Sequence, residues 1–224
     1  MLSISPDITI VEKRVAWSDR DHWAWPRYDD HDKGLFAVFD WVLDLDAALK
    51  HVKQRKCCVQ AGGACGVNPI YLANHFDTVI TLEPDPTNWQ AMLANLRGCG
   101  NVKPLFGALS NRDGHCVIER EAEQQKNCGA GFVVDADAGA PYYRIDDLHL
   151  DACDFIQLDV EGSELEALQG AAKTIERFRP VIVIEETNFK RSAGVSKYRA
   201  REWLINQGYR CVTMAHNDAV MVPC

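Results

Sequence analysis

One stretch limits the fold of this chain more than any other: Cys57 to Pro84, CCVQAGGACGVNPIYLANHFDTVITLEP. The apolar run Cys57 to Ala61 suits a buried strand and is too short for a helix, and it breaks at Gly62-Gly63. Helical spacing follows Gly66, and a second apolar run ends in Glu83. This is a strand, glycine turn, helix, strand unit. Its glycines let the backbone bend sharply and approach a ligand with no Cβ in the way, and the N–H groups opening the helix point at the same place. Glu83 follows Gly62 at close to the roughly 20-residue spacing at which an acid on the second strand accepts from ribose hydroxyls. The unit reads as a site for an adenosine-containing cofactor.

The rest of the chain repeats the alternation. Leu35 to His51 has helical spacing and leads into the first core strand, with Lys50, Lys53, Arg55 and Lys56 suiting the negative end of its dipole. Pro86 to Arg97 reads as a helix ended by Gly98 and Gly100, and Val102 to Leu109 as a third strand. His115 to Arg120 and Tyr142 to Ile145 read as strands flanking a mobile insertion, Glu121 to Pro141, rich in Gly, Ala and Asp. Asp154 to Val160 is a buried strand ending in an acid, followed by a helix from Ser163 to Ile175. Pro180 to Ile184 has the β-branched run of a strand covered on both faces. A helix over Lys197 to Gln207 and a hairpin turning around Asn217-Asp218 close the chain. The alternation predicts an α/β domain with a mostly parallel sheet, helices on both faces, and one antiparallel edge strand from the final hairpin.

At 224 residues with 47% apolar content, the chain suits a single such domain over 35–224, preceded by an arm or lid over 1–34. That arm concentrates Trp17, His22, Trp23, Trp25, Tyr28 and His31, aromatics that serve either a substrate-facing lid or a staple to the domain. The net charge of -8 disfavours phosphate backbones, so nucleic acid is an unlikely acceptor. No apolar run reaches the ~18 residues of a membrane span, and the start of the chain lacks a signal-peptide pattern, so a cytoplasmic location is expected. The nine cysteines show no C-x-x-C pair and read as small buried hydrophobes, and no metal ligands are assigned. His115, His149 and His216 stand in no motif.

The succession VQAGGACGVNPIYLA, VITLEPDPTNWQAMLANL, RIDDL, DFIQLDVEGSELEALQGA and PVIVIEE resembles the FkbM family of S-adenosylmethionine-dependent methyltransferases, over about Cys57 to Glu186. The resemblance implies the seven-stranded class I methyltransferase (Rossmann-like) fold, S-adenosylmethionine as cofactor, and methylation of a small-molecule hydroxyl, as on a sugar. It implies cofactor contacts at Gln60, Gly62, Gly63, Gly66, Glu83, Pro84, Ala108, Leu109 and Asp159, and catalytic roles for Asp159, Glu161 and Glu185 in aligning the acceptor and removing its proton. The chain departs from the family at Gln60, where an acid is usual, and at Gly63-Ala64, which replaces an alanine-asparagine pair. A nicotinamide-dependent oxidoreductase is the weaker alternative, because Gly62, Gly63 and Gly66 do not make G-x-G-x-x-G. A non-catalytic binding module on the same fold is the other. The Asp/Asn-Pro-Pro-aromatic tetrapeptide of amino-group methylation on bases is missing.

Overall fold

The computed structural model describes residues 5–30, 37–186 and 196–224. The chain opens with a hairpin, β1 (Ile8–Glu12) and β2 (His22–Pro26), then a helical segment made of α1 (Ala37–Trp41), a 3-10 turn (Val42–Leu45) and α2 (Asp46–Leu49). The core begins with β3 (Cys57–Ala61), α3 (Val67–Ala73), β4 (Thr78–Glu83), α4 (Pro86–Asn95) and β5 (Val102–Phe106). An excursion of four strands follows: β6 (Ala108–Leu109), β7 (His115–Glu119), β8 (Phe132–Ala136) and β9 (Ala140–Tyr143). The core resumes with β10 (Phe155–Leu158), α5 (Glu164–Gln169), α6 (Ala172–Phe178), β11 (Val181–Glu185), α7 (Arg199–Asn206), β12 (Tyr209–Ala215) and β13 (Asp218–Pro223).

The main sheet has seven strands in the order β12-β13-β11-β10-β3-β4-β5, and β13 alone runs against its neighbours. The antiparallel strand therefore lies one place in from the edge, a correction to the expected edge position. Burial explains the placement: β13 is apolar and covered along its middle, with Ala219, Val220 and Met221 almost fully buried, whereas β12 is buried only at Tyr209 and otherwise partly or fully exposed. A strand that needs covering on both faces takes the interior slot.

Successive residues of each core strand point to opposite faces. Cys58, Val79, Phe155, Val183 and Val220 pack with Trp23, Phe39 and Met92 on one face, and Val59, Ile156, Ile182 and Met221 pack with Leu168, Ile175 and Leu204 on the other. Each fully buried side chain of this size contributes about 1.5–3 kcal/mol relative to exposure. The N-terminal hairpin joins the first face through Trp23, which is fully buried and donates from Nε1 to the Lys13 carbonyl at 3.0 Å. Asn95, at the end of α4, accepts from Ala24 N (2.7 Å) and donates to the carbonyls of Ala24 and Cys65 (both 2.8 Å). One side chain thus ties the hairpin, α4 and the glycine loop together.

Four further expectations change. The insertion is not an open loop: Phe132–Ala136 pairs with β7, Ala140–Tyr143 joins them, and together with Ala108–Leu109 they build a second sheet of four strands. The single strand over Val102 to Leu109 breaks at Gly107, whose φ of 152° releases Ala108 into that second sheet. The helix from Ser163 to Ile175 divides at Gly170, where a Cβ would lie 2.0 Å from the Ser110 carbonyl oxygen. Close packing there sets the break. The final hairpin turns at His216-Asn217, one residue earlier than expected. Among the described residues, no helix is long and apolar enough to cross a membrane.

Candidate active site

The chain runs from β3 outward to β4 and β5, then returns to place β10 and β11 on the opposite side of β3. That reversal opens a crevice at the carboxyl ends of β3 and β10, where open α/β sheets bind ligands. The two strands touch through Asp159 N, which donates to the Ala61 carbonyl at 3.1 Å. Gly62 follows with φ 82°, and a Cβ on it would lie 1.8 Å from the Asp159 carbonyl oxygen. Only glycine meets both the left-handed backbone and the contact. The loop is held from behind by Gly63 N donating to Leu82 O (2.9 Å) and Gly66 N donating to Gly63 O (2.7 Å).

Glu83 ends β4 inside this loop, 5% exposed. One carboxylate oxygen accepts from Ala64 N at 2.6 Å and the other from Asp85 N at 2.8 Å. Burial pushes its carboxyl up to about 7 against the restraint of those two N–H groups. Asp85 caps α4, accepting from Thr87 N (2.7 Å) and Asn88 N (3.1 Å), and its second oxygen pairs with Arg120 at 2.7 Å. Arg120 follows β7, so this ion pair fastens the excursion over the same crevice.

A cavity of about 370 Å³ fills the crevice, within the range of small-ligand sites. Of the residues singled out from the sequence, Gly62, Gly63, Glu83, Pro84, Ala108, Leu109, Asp159, Glu161 and Glu185 border it. Gln60 and Gly66 do not. Gln60 is fully buried; it accepts from Thr81 Oγ1 and donates to Gly62 O at 2.9 Å, so its side chain braces the loop from inside. Gly66, with φ 92°, forms the turn into α3 against Met92.

Past the loop, Asp159, Glu161 and Glu185 each bring a carboxylate oxygen within 4.8 Å of the others. Three carboxylates this close repel unless a proton or a cation lies among them, and an all-oxygen set of this kind could hold a hard cation. The protein around Asp159 strips water from its carboxyl and Glu185 and Glu161 add like charge, which together hold its pKa well above the usual carboxylate range. Asp218, opposite Glu185 in the sheet register, is pushed up to about 7 by burial and by Glu185. Glu161 does not cap the following helix. Glu164 instead braces the turn before the helix: one oxygen accepts from Gly162 N (3.0 Å) and Val160 N (3.3 Å), while Glu161 takes φ 53° and Gly162 φ 97°.

Other cavity residues had no sequence signal. Gln157, two residues before Asp159 on the same face of β10, is 2% exposed, and its Oε1 has no hydrogen-bond partner. Asn88 donates to Cys128 O at 2.9 Å but leaves Oδ1 without a partner. Two buried acceptors lining one cavity fit a ligand rich in donors, such as ribose hydroxyls and an ammonium group. Trp25, Trp41, Asp44, His216 and Asp218 also line the cavity. His22 lies away from it, exposed and paired with Asp21 (2.6 Å) and Glu12 (3.5 Å), and His31 lies outside the described residues.

A model of the methyltransferase FkbM domain matches residues 71–211, well over half of the chain. The chain belongs to the FkbM methyltransferase family. The FkbM match begins within α3, so the glycine loop ahead of it is assigned on geometry. Among solved structures, the chain is similar to the methyltransferase FkbM from Methylobacillus flagellatus KT, with 21% identity over 75% of this chain and 43% of that one, and a TM-score of 0.49. The FkbM chain described here therefore spans less than half the length of that protein. A candidate caffeoyl-CoA O-methyltransferase from Staphylococcus aureus shares the fold at 16% identity, covering 81% of this chain and 83% of that one with a TM-score of 0.50. Aeropyrum pernix fibrillarin, solved with natively bound S-adenosyl-L-methionine, matches 81% of this chain and 75% of its own at 15% identity and a TM-score of 0.45. No curated protein matches the sequence.

Proposed function

We propose that this protein transfers a methyl group from S-adenosylmethionine to a hydroxyl of a small molecule, a sugar or a related alcohol. The observation that carries the reading is the meeting, in one cavity, of the Gly62–Ala64 loop, the buried acid Glu83 and the carboxylates at the ends of β10 and β11. Family membership supports it. Residues 1–34 would serve as the arm that carries Trp25 to the cavity wall.

In this reading Glu83 accepts from the ribose hydroxyls with the lone pairs its N–H partners leave open, Pro84, Ala108 and Leu109 border the adenine, and Gln157 and Asp159 receive the methionine ammonium. When bound, the cofactor supplies a sulfonium-activated methyl group. The protein's task is then to align an acceptor oxygen and to manage its proton. Asp159, whose carboxyl burial and the neighbouring Glu185 and Glu161 hold well above the usual range, can donate to an acceptor hydroxyl. Cavity acids outnumber the basic groups Arg120 and His216 among the described residues, which favours acceptors without phosphate.

Two outcomes follow. S-adenosylmethionine at a hundredfold its dissociation constant should stabilise the protein by about 2.7 kcal/mol, visible as a raised melting temperature, while NAD leaves it unmoved. A shift with NAD alone would reject the cofactor assignment. Asp159→Asn keeps size and hydrogen bonding and removes only the titratable proton, so methyl transfer should fall by about tenfold, less than the ~10²–10⁴ of a lost general base. A drop at the top of that range would make Asp159 the base instead.

A further inference from the structure

We propose that His216, oriented by Asp44, is the general base that takes the proton from the acceptor hydroxyl. The role rests on the methyl-transfer reading above and adds a residue to it. His216 stands at the apex of the two-residue loop between β12 and β13 and lines the cavity. Its Nδ1 lies 2.5 Å from Asp44 Oδ2, and its ring centroid lies 6.1 Å from that of Trp41, which also lines the cavity.

An ionised carboxylate only accepts, so Nδ1 carries the hydrogen and Nε2 keeps its lone pair. Asp44 and Trp41 come from the helical segment before β3, Asp218 from β13, and Glu185 from β11 opposite it. Asp44 and Asp218 are acidic groups beside the imidazole, and they stabilise the imidazolium once it forms.

In the step, the proton passes from the acceptor oxygen to Nε2. The oxygen's electron pair forms the new O–CH3 bond while the S–CH3 bond breaks, its pair remaining on sulfur as the positive sulfonium becomes a neutral thioether. The imidazolium then returns its proton to solvent through the exposed face of the ring, whose side chain is 64% accessible.

The test compares two acceptors that differ in their need for a base. Wild type, His216→Gln and Asp44→Asn are assayed with labelled S-adenosylmethionine on a methyl glucoside and on para-nitrophenol, ionised at the assay pH. His216→Gln should lower kcat on the glucoside by about 10²–10⁴ and on the phenolate by no more than about threefold, with cofactor affinity intact. Asp44→Asn, a positioning change, should show the same pattern at about tenfold. His216→Gly, which suits the φ of 50° at this position, should regain glucoside methylation with added imidazole. Equal losses on both acceptors, or an unaffected glucoside rate, would overturn the role of His216. A wild-type protein that binds the cofactor yet methylates no sugar, phenol or lipid would overturn the proposed reaction, and the base with it.

Discussion

Gly62→Ala is expected to lose about 2–5 kcal/mol of folding stability, the sum of ~1–2 kcal/mol for a left-handed non-glycine residue and ~1–3 kcal/mol for overpacking. The new Cβ would meet the Asp159 carbonyl oxygen at 1.8 Å, and that atom belongs to the backbone of an adjacent core strand, which cannot swing aside. Gly98 provides the control: its φ is 91° but nothing lies within 4 Å of its Cβ position. Gly98→Ala should therefore show only the backbone part, ~1–2 kcal/mol. Urea unfolding of the two variants checks this. Equal losses would mean that the junction of β3 and β10 has room to spare. Cofactor binding should fall with Gly62→Ala and stay unchanged with Gly98→Ala, because only the first displaces the loop beneath the ligand.

Glu83 should make both stability and cofactor affinity depend on pH, in opposite senses. Its carboxyl rises from 4.5 to about 7 on folding, so between those values the folded state holds a proton that the unfolded state has released. Stability from this group is full below about pH 4.5 and is lost as pH rises through about 7, by roughly 3 kcal/mol in all. Asp218 and Glu164, each raised to about 7, act in the same direction, so the measurable quantity is the difference between wild type and Glu83→Gln. The wild-type slope over this window should be steeper. Ribose hydroxyls donate best to the ionised carboxylate, so cofactor binding should tighten as pH rises toward 7 and release a proton below it. Glu83→Gln should weaken binding by about 1.5–3 kcal/mol well above pH 7 and by much less near pH 5. Calorimetry showing the same deficit at both ends would remove Glu83 from the ribose.

The opening stretch Cys57 to Pro84 already carried the fold class, because apolar runs with periods of 2 and 3.6 separated by glycines admit few architectures. A mostly parallel sheet and the crevice at Gly62, Glu83 and Asp159 follow from it and from the matching run Asp154 to Val160, while the count of seven strands came with the family resemblance. These features are local: a glycine's conformational freedom and an acid at a strand tip are written within a few residues. The hairpin itself was legible, but its order in the sheet was not: the antiparallel strand was expected at the edge and lies one place in.

Tertiary structure decided the rest. Gln60 sits in the strand where a cofactor anchor is expected, yet Thr81 on the neighbouring strand captures its side chain, a contact 21 positions away. The excursion became a sheet because Phe132, Val133 and Val134 found β7, although Gly and Ala around them mimic a loop. His216 and Asp44 lie 172 positions apart, in segments with no shared pattern. Sequence periodicity reports which face of an element is buried; it carries no term for which distant side chain arrives beside it. Hydrogen bonds and charge pairs act within a few ångströms of space, so a site assembled from strand ends and loop tips is settled only when the sheet order brings those ends together.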